Sequence, residues 1–258
     1  MPQAKIIAVA NQKGGVGKTT TAVNLAACLG FRDKKVLLCD LDPQGNATVA
    51  LGIGKRQIKM SSYEALIGRC KTADAVLPTS ARKLFLLPAN ISLVGAELEL
   101  AEMAQRERKL RQALLPLAEE YDYIILDCPP SLGLLTLNCL CAAHSVLIPL
   151  QCEYFALEGL SQLTQTMRTV KKMYNPALEL EGLLLTMFDG RLNLTLQVAA
   201  EVKKFFPGKV FSTVIPRTVR FSEAPSFGKA MIYFDTWSKG STAYLDLADE
   251  LIKKHSNS

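Results

Sequence analysis

The sequence lacks the features that mark secreted and membrane-spanning proteins. No stretch reaches the roughly 18 uninterrupted apolar residues that a spanning helix needs, and the N-terminal segment lacks the charged, apolar and small-residue order of a signal peptide. Seven cysteines are present without a Cys-x-x-Cys pair, and an odd number without framework spacing favours reduced, buried thiols. We therefore expect a cytoplasmic protein.

The sequence is also poor in aromatic residues and has no internal repeat, low-complexity run or linker. Aromatic side chains make up 7% of it, and its one tryptophan, Trp237, is expected to be a packing anchor near the C-terminal helix. His144 lies between an apolar helix and an apolar strand, where a core or boundary position is expected. A hydrophobic fraction of 49% over 258 residues is ample for a core. These features predict one domain spanning residues 1–258.

Short apolar runs alternate with longer helical patterns, which predicts βαβ units. Most of the runs are continuously apolar, as expected when helices cover both faces of a sheet. We therefore predict an α/β fold with a single doubly wound, mostly parallel sheet. The predicted strands are 6–10, 35–40, 83–87, 123–127, 145–150, 180–187 and 210–215, and the predicted helices are 19–30, 61–67, 94–104, 107–120, 132–142, 157–174, 194–206 and 242–254.

The segment after the first predicted strand has the pattern of a phosphate-binding loop. Residues 11–20 read NQKGGVGKTT, so a glycine-rich turn joins a strand to a helix that opens on Lys-Thr. Backbone N–H groups of such a turn can approach phosphate oxygens, and the helix N-terminus favours an anion. We expect Lys18 to neutralise the β- and γ-phosphates, the Thr19 hydroxyl to bind Mg²⁺ and Thr20 to donate to the α-phosphate.

The same loop departs from the ordinary phosphate-loop pattern at two positions. Gln12 stands where that pattern has glycine, and a second lysine, Lys13, lies inside the loop. Two lysines that flank Gly-Gly-Val-Gly are more specific than a general phosphate loop. The predicted nucleotide-binding residues of this loop are Lys13, Gly14, Gly15, Val16, Gly17, Lys18, Thr19 and Thr20.

Carboxylates end two other predicted strands. Asp40 and Asp42 close the second strand, and Asp127 closes the fourth. Because these strand ends are expected beside the phosphate loop, the carboxylates can hold Mg²⁺ through water or orient a nucleophilic water. We predict that Thr19 and Asp127 form the Mg²⁺ site, partly through water, and that Asp42 acts on it through water.

The net charge of +6 is concentrated in one segment. Between residues 191 and 230 the sequence has seven basic and two acidic residues, a local excess of +5, whereas the other 218 residues carry only +1. This asymmetry favours an anionic partner on a basic surface at about 186–230. Few aromatic residues are interleaved, so contact with phosphates rather than base stacking is expected. From charge alone we assign Lys203, Lys204 and Lys229 to this surface.

Three motifs follow one another along the chain: KGGVGKT at 13–19, DLDPQGN at 40–46 and DCPPS at 127–131. Together they closely resemble the ParA/Soj chromosome- and plasmid-partitioning ATPases, relatives of MinD that have a deviant Walker A motif and the P-loop NTPase fold. The segments TMFDGRLNL at 186–194 and IPRTVRFSEAP at 215–225 also resemble this family and favour its Soj branch. The resemblance covers nearly the whole chain.

The resemblance implies roles that the residues alone do not. Lys13 matches the signature lysine that reaches the nucleotide of a second subunit, so ATP would be sandwiched in a homodimer whose interface crowds Gly14. Asp42 matches the carboxylate required for hydrolysis. Lys13, Lys18 and Asp42 are therefore the implied catalytic set.

The resemblance also implies a reaction cycle and partners. An ATPase of this family hydrolyses ATP to ADP and phosphate with Mg²⁺, slowly alone and faster with a ParB/Spo0J-like protein. Its ATP dimer binds non-specific double-stranded DNA on the nucleoid and releases it on hydrolysis, in chromosome or plasmid partitioning. Pro216 and Arg217 lie where the family encloses the adenine, and Arg191 and Arg220 match positions implicated in DNA binding.

Three other functions stay open at this point. A MinD-like membrane-surface positioning ATPase needs an amphipathic basic C-terminal helix, but residues 245–258 have three carboxylates and no aromatic residue, so no stable membrane association is expected. An electron-transfer ATPase like the nitrogenase iron protein needs a cysteine pair beside the switch segments, and residues 88–104 have no cysteine. A nucleotide-binding scaffold without hydrolysis is disfavoured by Lys18 and Asp42.

Overall fold

A computed structural model describes residues 3–153 and 156–256 of the chain, which are organised by one eight-stranded sheet. The strands are β1 Lys5–Val9, β2 Val36–Asp40, β3 Leu77–Pro78, β4 Leu84–Leu87, β5 Tyr123–Asp127, β6 Ser145–Gln151, β7 Glu179–Phe188 and β8 Val210–Pro216. Their order across the sheet is β3-β4-β2-β5-β1-β6-β7-β8. The short β3 pairs antiparallel with β4, and the other neighbours pair in parallel. The predicted mostly parallel sheet is confirmed, and β3 is a strand that the sequence pattern missed.

Helices connect the strands. Their bounds are α1 Lys18–Phe31, α2 Asn46–Ala50, α3 Ser62–Leu66, α4 Thr72–Ala75, α5 Leu93–Glu102, α6 Lys109–Leu114, α7 Leu134–Ala142, α8 Ala156–Met173, α9 Asn193–Phe205, α10 Arg220–Glu223, α11 Met231–Phe234 and α12 Lys239–Ser256. The predicted helix 107–120 is interrupted, because Pro116 has no N–H for the helical ladder and lies in the 3-10 turn Leu115–Leu117. The helices α2, α4, α10 and α11 are too short to show an amphipathic repeat, so the sequence pattern missed them.

The alternation along β1 shows how both faces of the sheet are covered. Ile6 and Ala8 belong to a core that includes residues of α5, α6, α7 and α8, whereas Ile7 and Val9 belong to a second core formed with α1 and α12. Burial of each large aliphatic side chain contributes about 1.5–3 kcal/mol, so apolar contact holds both helix layers on the sheet. The doubly wound arrangement is confirmed.

The direction of the chain across the sheet positions the candidate site. β1 lies between β5 and β6, and the chain moves from β1 towards β2 on one side and later to β6 on the other. Ligands bind outside the carboxyl ends of the strands at such a reversal. The strand register pairs Val9 with Asp127 and Asp40 with Asp127. The loop after β1 and the ends of β2 and β5 therefore meet at one edge.

Two expectations for single residues have opposite outcomes. His144 is partly buried, and its Nδ1 accepts a hydrogen bond from the Ile6 N–H at 3.0 Å, which confirms a boundary position. Trp237 is 94% exposed, so its expected packing role is wrong. Tyr244 and Leu247 occupy the buried face of α12, and Trp237 lies in the turn before that helix.

The thiols are unpaired and mostly buried. All seven cysteines are free, and Cys70 alone among them is partly exposed. Burial raises the pKa of Cys28 to about 12 and that of Cys152 to about 11. In residues 3–153 and 156–256, no helix has both the length and the apolar character to cross a membrane.

Candidate functional site

The loop between β1 and α1 has a backbone shape suited to phosphate. Gly15 and Gly17 have φ angles of 75° and 87°, in the left-handed region that residues with a Cβ rarely adopt. The Thr186 hydroxyl donates to the Val16 carbonyl at 2.8 Å and ties the loop to β7. Gly17 precedes the 14-residue helix α1, so the unpaired N–H groups of its first turn lie next to the loop.

Lys18 is buried below this loop and is bonded to it. Its side chain is 8% exposed, and Nζ donates to the Lys13 carbonyl at 2.9 Å. Burial lowers the pKa of Lys18, although the charges of Asp127 and Asp42 act in the opposite direction. A phosphate in the loop would give this ammonium group an anionic partner.

Asp127, at the end of β5, is a buried carboxylate without a hydrogen-bond partner. Neither of its oxygens is bonded to a group in residues 3–153 and 156–256. Burial, followed by the charge of Asp40, raises the pKa of Asp127 well above its ordinary value. The Thr19 hydroxyl is close enough to favour the charged form, but it makes no well-formed hydrogen bond to either oxygen. A buried charge of this kind is costly unless a donor or cation satisfies it, and with Thr19 and Asp42 it offers the oxygen ligands that Mg²⁺ prefers.

Asp40 and Asp42 differ in their surroundings. Asp40 is fully buried, and its carboxylate accepts from the Thr48 N–H and hydroxyl at 2.9 and 2.7 Å. It also accepts from the Asp42 N–H at 3.2 Å, so it fixes the turn after β2. Asp42 is 8% exposed and accepts from the Gln44 N–H at 2.9 Å. The sequence pattern did not reveal that Asp40 is an anchor for this turn.

Lys13 forms an ion pair with Glu153, which follows β6. The Lys13 N–H donates to Asn11 Oδ1 at 3.0 Å, and Asn11 Nδ2 donates to the Pro149 carbonyl at 2.7 Å. The side chains of Lys13 and Glu153 are 37% and 47% exposed, so the pair lies at the surface. No motif or spacing pointed to Glu153, because the contact arises from the pairing of β1 with β6.

Two cavities lie next to the loop and share Thr20 and Phe221 as walls. One has a volume of about 250 Å³, and its walls include Gly17, Thr20, Met187, Pro216, Arg217 and Phe221. The other has a volume of about 330 Å³, and its walls include Thr19, Thr20, Asn24, Asn46, Lys229 and Phe221. The residues predicted to enclose the adenine thus lie beside the loop, and Lys229 lies there as well.

The basic residues of the predicted DNA surface are exposed, and both arginines are paired with acids. Arg191 donates to Asp189 through Nε at 2.9 Å and Nη2 at 2.7 Å, and these hydrogen bonds lower the pKa of Asp189 to about 2. Arg220 Nη1 lies 3.4 Å from Glu223 Oε2, and Arg220 Nε lies 3.8 Å from Asp235 Oδ2. Ion pairs at the surface are weak, so phosphates can replace these carboxylates. Two further exposed basic residues lie in the last turn of α9, namely Lys203 and Lys204.

Known proteins are similar to the chain over nearly its whole length. A family model described as an AAA domain matches residues 4–180. Sporulation initiation inhibitor protein Soj of Bacillus subtilis is 56% identical over 247 residues, which cover 96% of this chain and 98% of that protein. Chromosome partitioning protein ParA of Myxococcus xanthus is 57% identical over 250 residues, which cover 97% of this chain and 88% of that protein.

A solved structure with a bound nucleotide is also similar. It is that of cobyrinic acid a,c-diamide synthase from Mycobacterium smegmatis with bound ADP and magnesium, with a TM-score of 0.86 and 41% identity. The match covers 98% of this chain and 96% of the solved one. The same protein has been solved with a bound ATP analogue and magnesium.

Proposed function

The chain belongs to the ParA/Soj family of chromosome-partitioning ATPases, and from this premise we propose that it is an ATP-driven switch on DNA. As an ATP-bound homodimer it binds double-stranded DNA without sequence preference, and it releases the DNA after hydrolysis. A ParB/Spo0J-like protein stimulates hydrolysis, which is slow without it. The protein is therefore associated with the nucleoid while ATP is bound.

The main observation that supports this proposal is the buried, unpaired carboxylate of Asp127 beside the buried Lys18. Buried charges of both signs are costly without partners, and a nucleotide with its metal ion supplies partners of both signs. The cofactors are ATP and Mg²⁺, in agreement with the 41% identical structure that holds an ATP analogue and magnesium. When bound, Mg²⁺ neutralises negative charge on the β- and γ-phosphates.

Different residues in and around the loop bind different parts of the nucleotide. Lys18 Nζ, which is aimed at the loop by its hydrogen bond to a loop carbonyl, binds the β- and γ-phosphates. The Thr20 hydroxyl donates to the α-phosphate. Thr19 and Asp127 hold the metal ion, Asp127 partly through water. The adenine occupies the cavity of about 250 Å³ whose walls include Pro216 and Arg217.

Asp42 orients the water that attacks the γ-phosphate, because its charge acts on both Lys18 and Asp127, the residues that hold the phosphates and the metal ion in this proposal. Asp42→Ala should lower the turnover of ATP by about 100-fold or more while ATP-dependent dimerisation is retained. Phosphate release and light scattering measure the two properties separately. Turnover at the wild-type rate would remove Asp42 from the mechanism.

Lys13 and Gly14 belong to the dimer interface. Lys13 reaches the nucleotide of the second subunit, for which its ion pair with Glu153 has to open. The pair is exposed, so its opening costs little. A Cβ added to Gly14 would meet no described atom of the chain within 4 Å, which leaves room for a second copy to approach closely.

The DNA-binding surface consists of exposed basic residues, namely Arg191, Lys203, Lys204, Arg220 and Lys229. Dimerisation doubles this surface, and the affinity for a polyanion increases steeply with the number of phosphate contacts. The nucleotide state therefore controls DNA binding through the oligomeric state. The carboxylates that pair with the arginines exchange for phosphates on binding.

Binding of a duplex in the presence of ADP, ATP and a slowly hydrolysed ATP analogue, over a salt series, tests the switch. We expect binding with the ATP forms, a steep decrease with salt and loss of binding in Arg220→Glu. Arg108→Glu, a charge reversal outside the basic segment, is the control and should bind normally. Equal binding in all nucleotide states would contradict the proposal.

The contacts of α12 speak against the membrane-surface alternative. Tyr244, Leu247 and Leu251 are at most 1% exposed, and the helix packs against α1 and β8. On its outer side, Asp249 forms a salt bridge with Arg32 at 2.6 Å. The apolar face that would have to enter a lipid surface is thus used within the chain.

A further inference from the structure

Trp237 is the one tryptophan of the chain, and 94% of it is exposed. It lies in the turn between α11 and α12. Scattered exposed apolar side chains are common on protein surfaces, so exposure alone implies no site. Two further observations distinguish Trp237, namely the hydrogen bonds that hold its turn and the proximity of Asp235, in the same turn, to Arg220.

Hydrogen bonds hold the backbone on both sides of Trp237. The Ser238 N–H and hydroxyl donate to the Asp235 carbonyl at 3.2 and 2.8 Å. On the preceding side, the Thr236 hydroxyl donates to the Ile232 carbonyl at 2.8 Å. The indole therefore extends into solvent from a fixed turn, and little backbone entropy is lost when a partner covers it.

This turn is connected to the basic surface through Arg220. Asp235 Oδ2 lies 3.8 Å from Arg220 Nε, and the guanidinium of Arg220 lies 5.9 Å from the centre of the Phe234 ring. The ring centres of Phe234 and the exposed Phe227 are 5.0 Å apart. Arg220, Phe227, Phe234 and Asp235 are thus linked by contacts, and Trp237 follows Asp235 by two residues in the same turn. We call these five residues the Trp237 patch.

We propose that Trp237 contacts DNA, and that its ring packs against the sugars and base edges of the duplex whose phosphates Arg220 binds. This inference rests on the proposed function, because it adds a residue to the same DNA surface. Charge favours an anionic partner, since residues 217–239 contain four basic and two acidic residues. DNA is the anion to which we assign Arg220 above, so the same duplex is the partner that reaches this turn. The two acids in that segment, Glu223 and Asp235, are those already close to Arg220.

An indole contact suits DNA binding without sequence preference. A ring surface makes apolar contact with sugars and bases and lacks the pattern of donors and acceptors by which proteins read the major groove. Apolar side chains also enter the minor groove in proteins that recognise DNA by shape. The Trp237 patch therefore adds an apolar contact to the phosphate contacts expected from composition.

A ring contact and an ionic contact differ in their dependence on salt. Each phosphate that a basic residue neutralises releases counterions, which adds about 0.9 to the steepness of log K against log [salt] on duplex DNA. An uncharged indole releases none. Loss of Trp237 should therefore weaken binding by the same factor at every salt concentration, whereas loss of Arg220 should also make the slope shallower by about one.

The test compares binding of a labelled duplex to the ATP-analogue form of the wild type, Trp237→Ala, Trp237→Phe and Arg220→Ala over a salt series. We expect roughly five- to tenfold weaker binding for Trp237→Ala with an unchanged slope, and partial recovery for Trp237→Phe. Leu115→Ala is a matched control and should bind like the wild type. Leu115 is 63% exposed, and its neighbours Leu114 and Leu117 belong to the core on the sheet face opposite α12.

Intrinsic fluorescence provides a second readout without a substitution. Since the chain has one tryptophan, its emission reports on position 237 alone. Unlabelled duplex should quench or shift the emission of the ATP-analogue form and leave that of the ADP form unchanged. Anionic lipid vesicles and an acidic protein without tryptophan serve as the lipid and protein comparisons and should have no effect.

The outcomes separate this inference from the function on which it rests. Equal affinity of Trp237→Ala and the wild type, with unchanged fluorescence, would overturn the inference and leave the switch intact. A fluorescence change with vesicles but not with duplex would overturn it in favour of a lipid contact. Failure of the wild-type ATP form to bind DNA at all would overturn the proposed function, and the inference with it.

Discussion

At the scale of single residues, the Asp127 carboxylate governs how the nucleotide-free protein responds to pH. Burial raises its pKa in the folded chain above the ordinary value of 3.8, so between these two values the folded state holds a proton that the unfolded state has released. Stability therefore decreases as pH rises through this window, and the full cost of the unpaired charge is present above the folded pKa.

Replacing Asp127 with asparagine should remove this cost. We expect the free energy of unfolding of nucleotide-free Asp127→Asn to exceed that of the wild type by about 1–2 kcal/mol at pH 8, and stabilisation by Mg²⁺ with an ATP analogue to be lost. Denaturant unfolding with and without these ligands measures both. Asp74→Asn, at an exposed position on α4, should change neither. A nucleotide-free variant less stable than the wild type would contradict the argument.

The ion pair of Lys13 and Glu153 is a second residue-level control point, because it holds Lys13 within its own subunit. An exposed pair is worth about 0.2–1 kcal/mol, so Glu153→Gln should lower the ATP-analogue concentration for half-maximal dimerisation by up to about fivefold. Light scattering at several analogue concentrations measures this. Glu158→Gln, at an exposed position in the first turn of α8, is the control. Weaker dimerisation in Glu153→Gln would argue against the pair as a restraint.

At the scale of elements, a buried acid on β7 holds the C-terminal end of α12. Glu181 is 4% exposed, and its carboxylate lies 2.6 Å from Lys254 Nζ and 3.2 Å from His255 Nε2. The Ser145 hydroxyl donates to it at 2.5 Å. Burial acts to raise the pKa of Glu181, but the hydrogen bonds from these three residues outweigh it and hold the pKa well below the ordinary value of 4.5.

Because the pKa of Glu181 is lowered, the stability that this residue gives to the packing of α12 depends on pH. Its contribution to stability is fully present above the unfolded pKa of 4.5 and is lost as pH falls towards the folded value. Glu181→Gln should therefore lower the free energy of unfolding by about 1–3 kcal/mol at pH 7, and by less at about pH 3.5. Glu179→Gln on the same strand is the control, since Glu179 is 65% exposed. A difference of equal size at both pH values would contradict this role.

At the scale of the whole molecule, the phosphate loop has a glycine that the single chain does not require. Gly15 and Gly17 need glycine because their φ angles are positive. Gly14 is not among the residues with positive φ, and a Cβ there would meet no described atom within 4 Å. The folded chain thus leaves space beside Gly14, and in the proposed dimer a second copy of the chain takes up that space.

Gly14→Val should therefore separate folding from assembly. We expect an unchanged melting temperature and unchanged nucleotide binding, together with loss of the dimer that the ATP analogue induces. Light scattering with the analogue measures the dimer, and thermal unfolding with and without nucleotide measures the rest. Gly159→Val on α8, where an added Cβ also meets no described atom within 4 Å, is the control. A Gly14→Val dimer with wild-type dependence on the analogue would contradict the proposed interface.

Much of the fold and the loop could be predicted because the information is local. Continuous apolar runs identified seven of the eight strands of the described sheet, and the glycine spacing identified the loop that Lys18 closes. The sequence pattern missed the interruption at Pro116 and the four-residue helices, because short segments depend on tertiary contacts for their stability. Trp237 was misjudged because an aromatic residue beside a helix is ordinarily buried by it.

The order of the amino acids is sufficient to specify the parallel sheet, the anion-binding loop and the presence of carboxylates at strand ends, because each depends on neighbouring residues. Which carboxylate anchors a turn and which remains unpaired depends on contacts between distant segments. Asp40 is satisfied by Thr48, whereas Asp127 has no bonded group in residues 3–153 and 156–256. The pairing of Lys13 with Glu153 and the exposure of Trp237 likewise follow from how strands and helices pack. Burial and charge pairing are properties of the folded chain, since they arise only when residues far apart in sequence exclude water from one another.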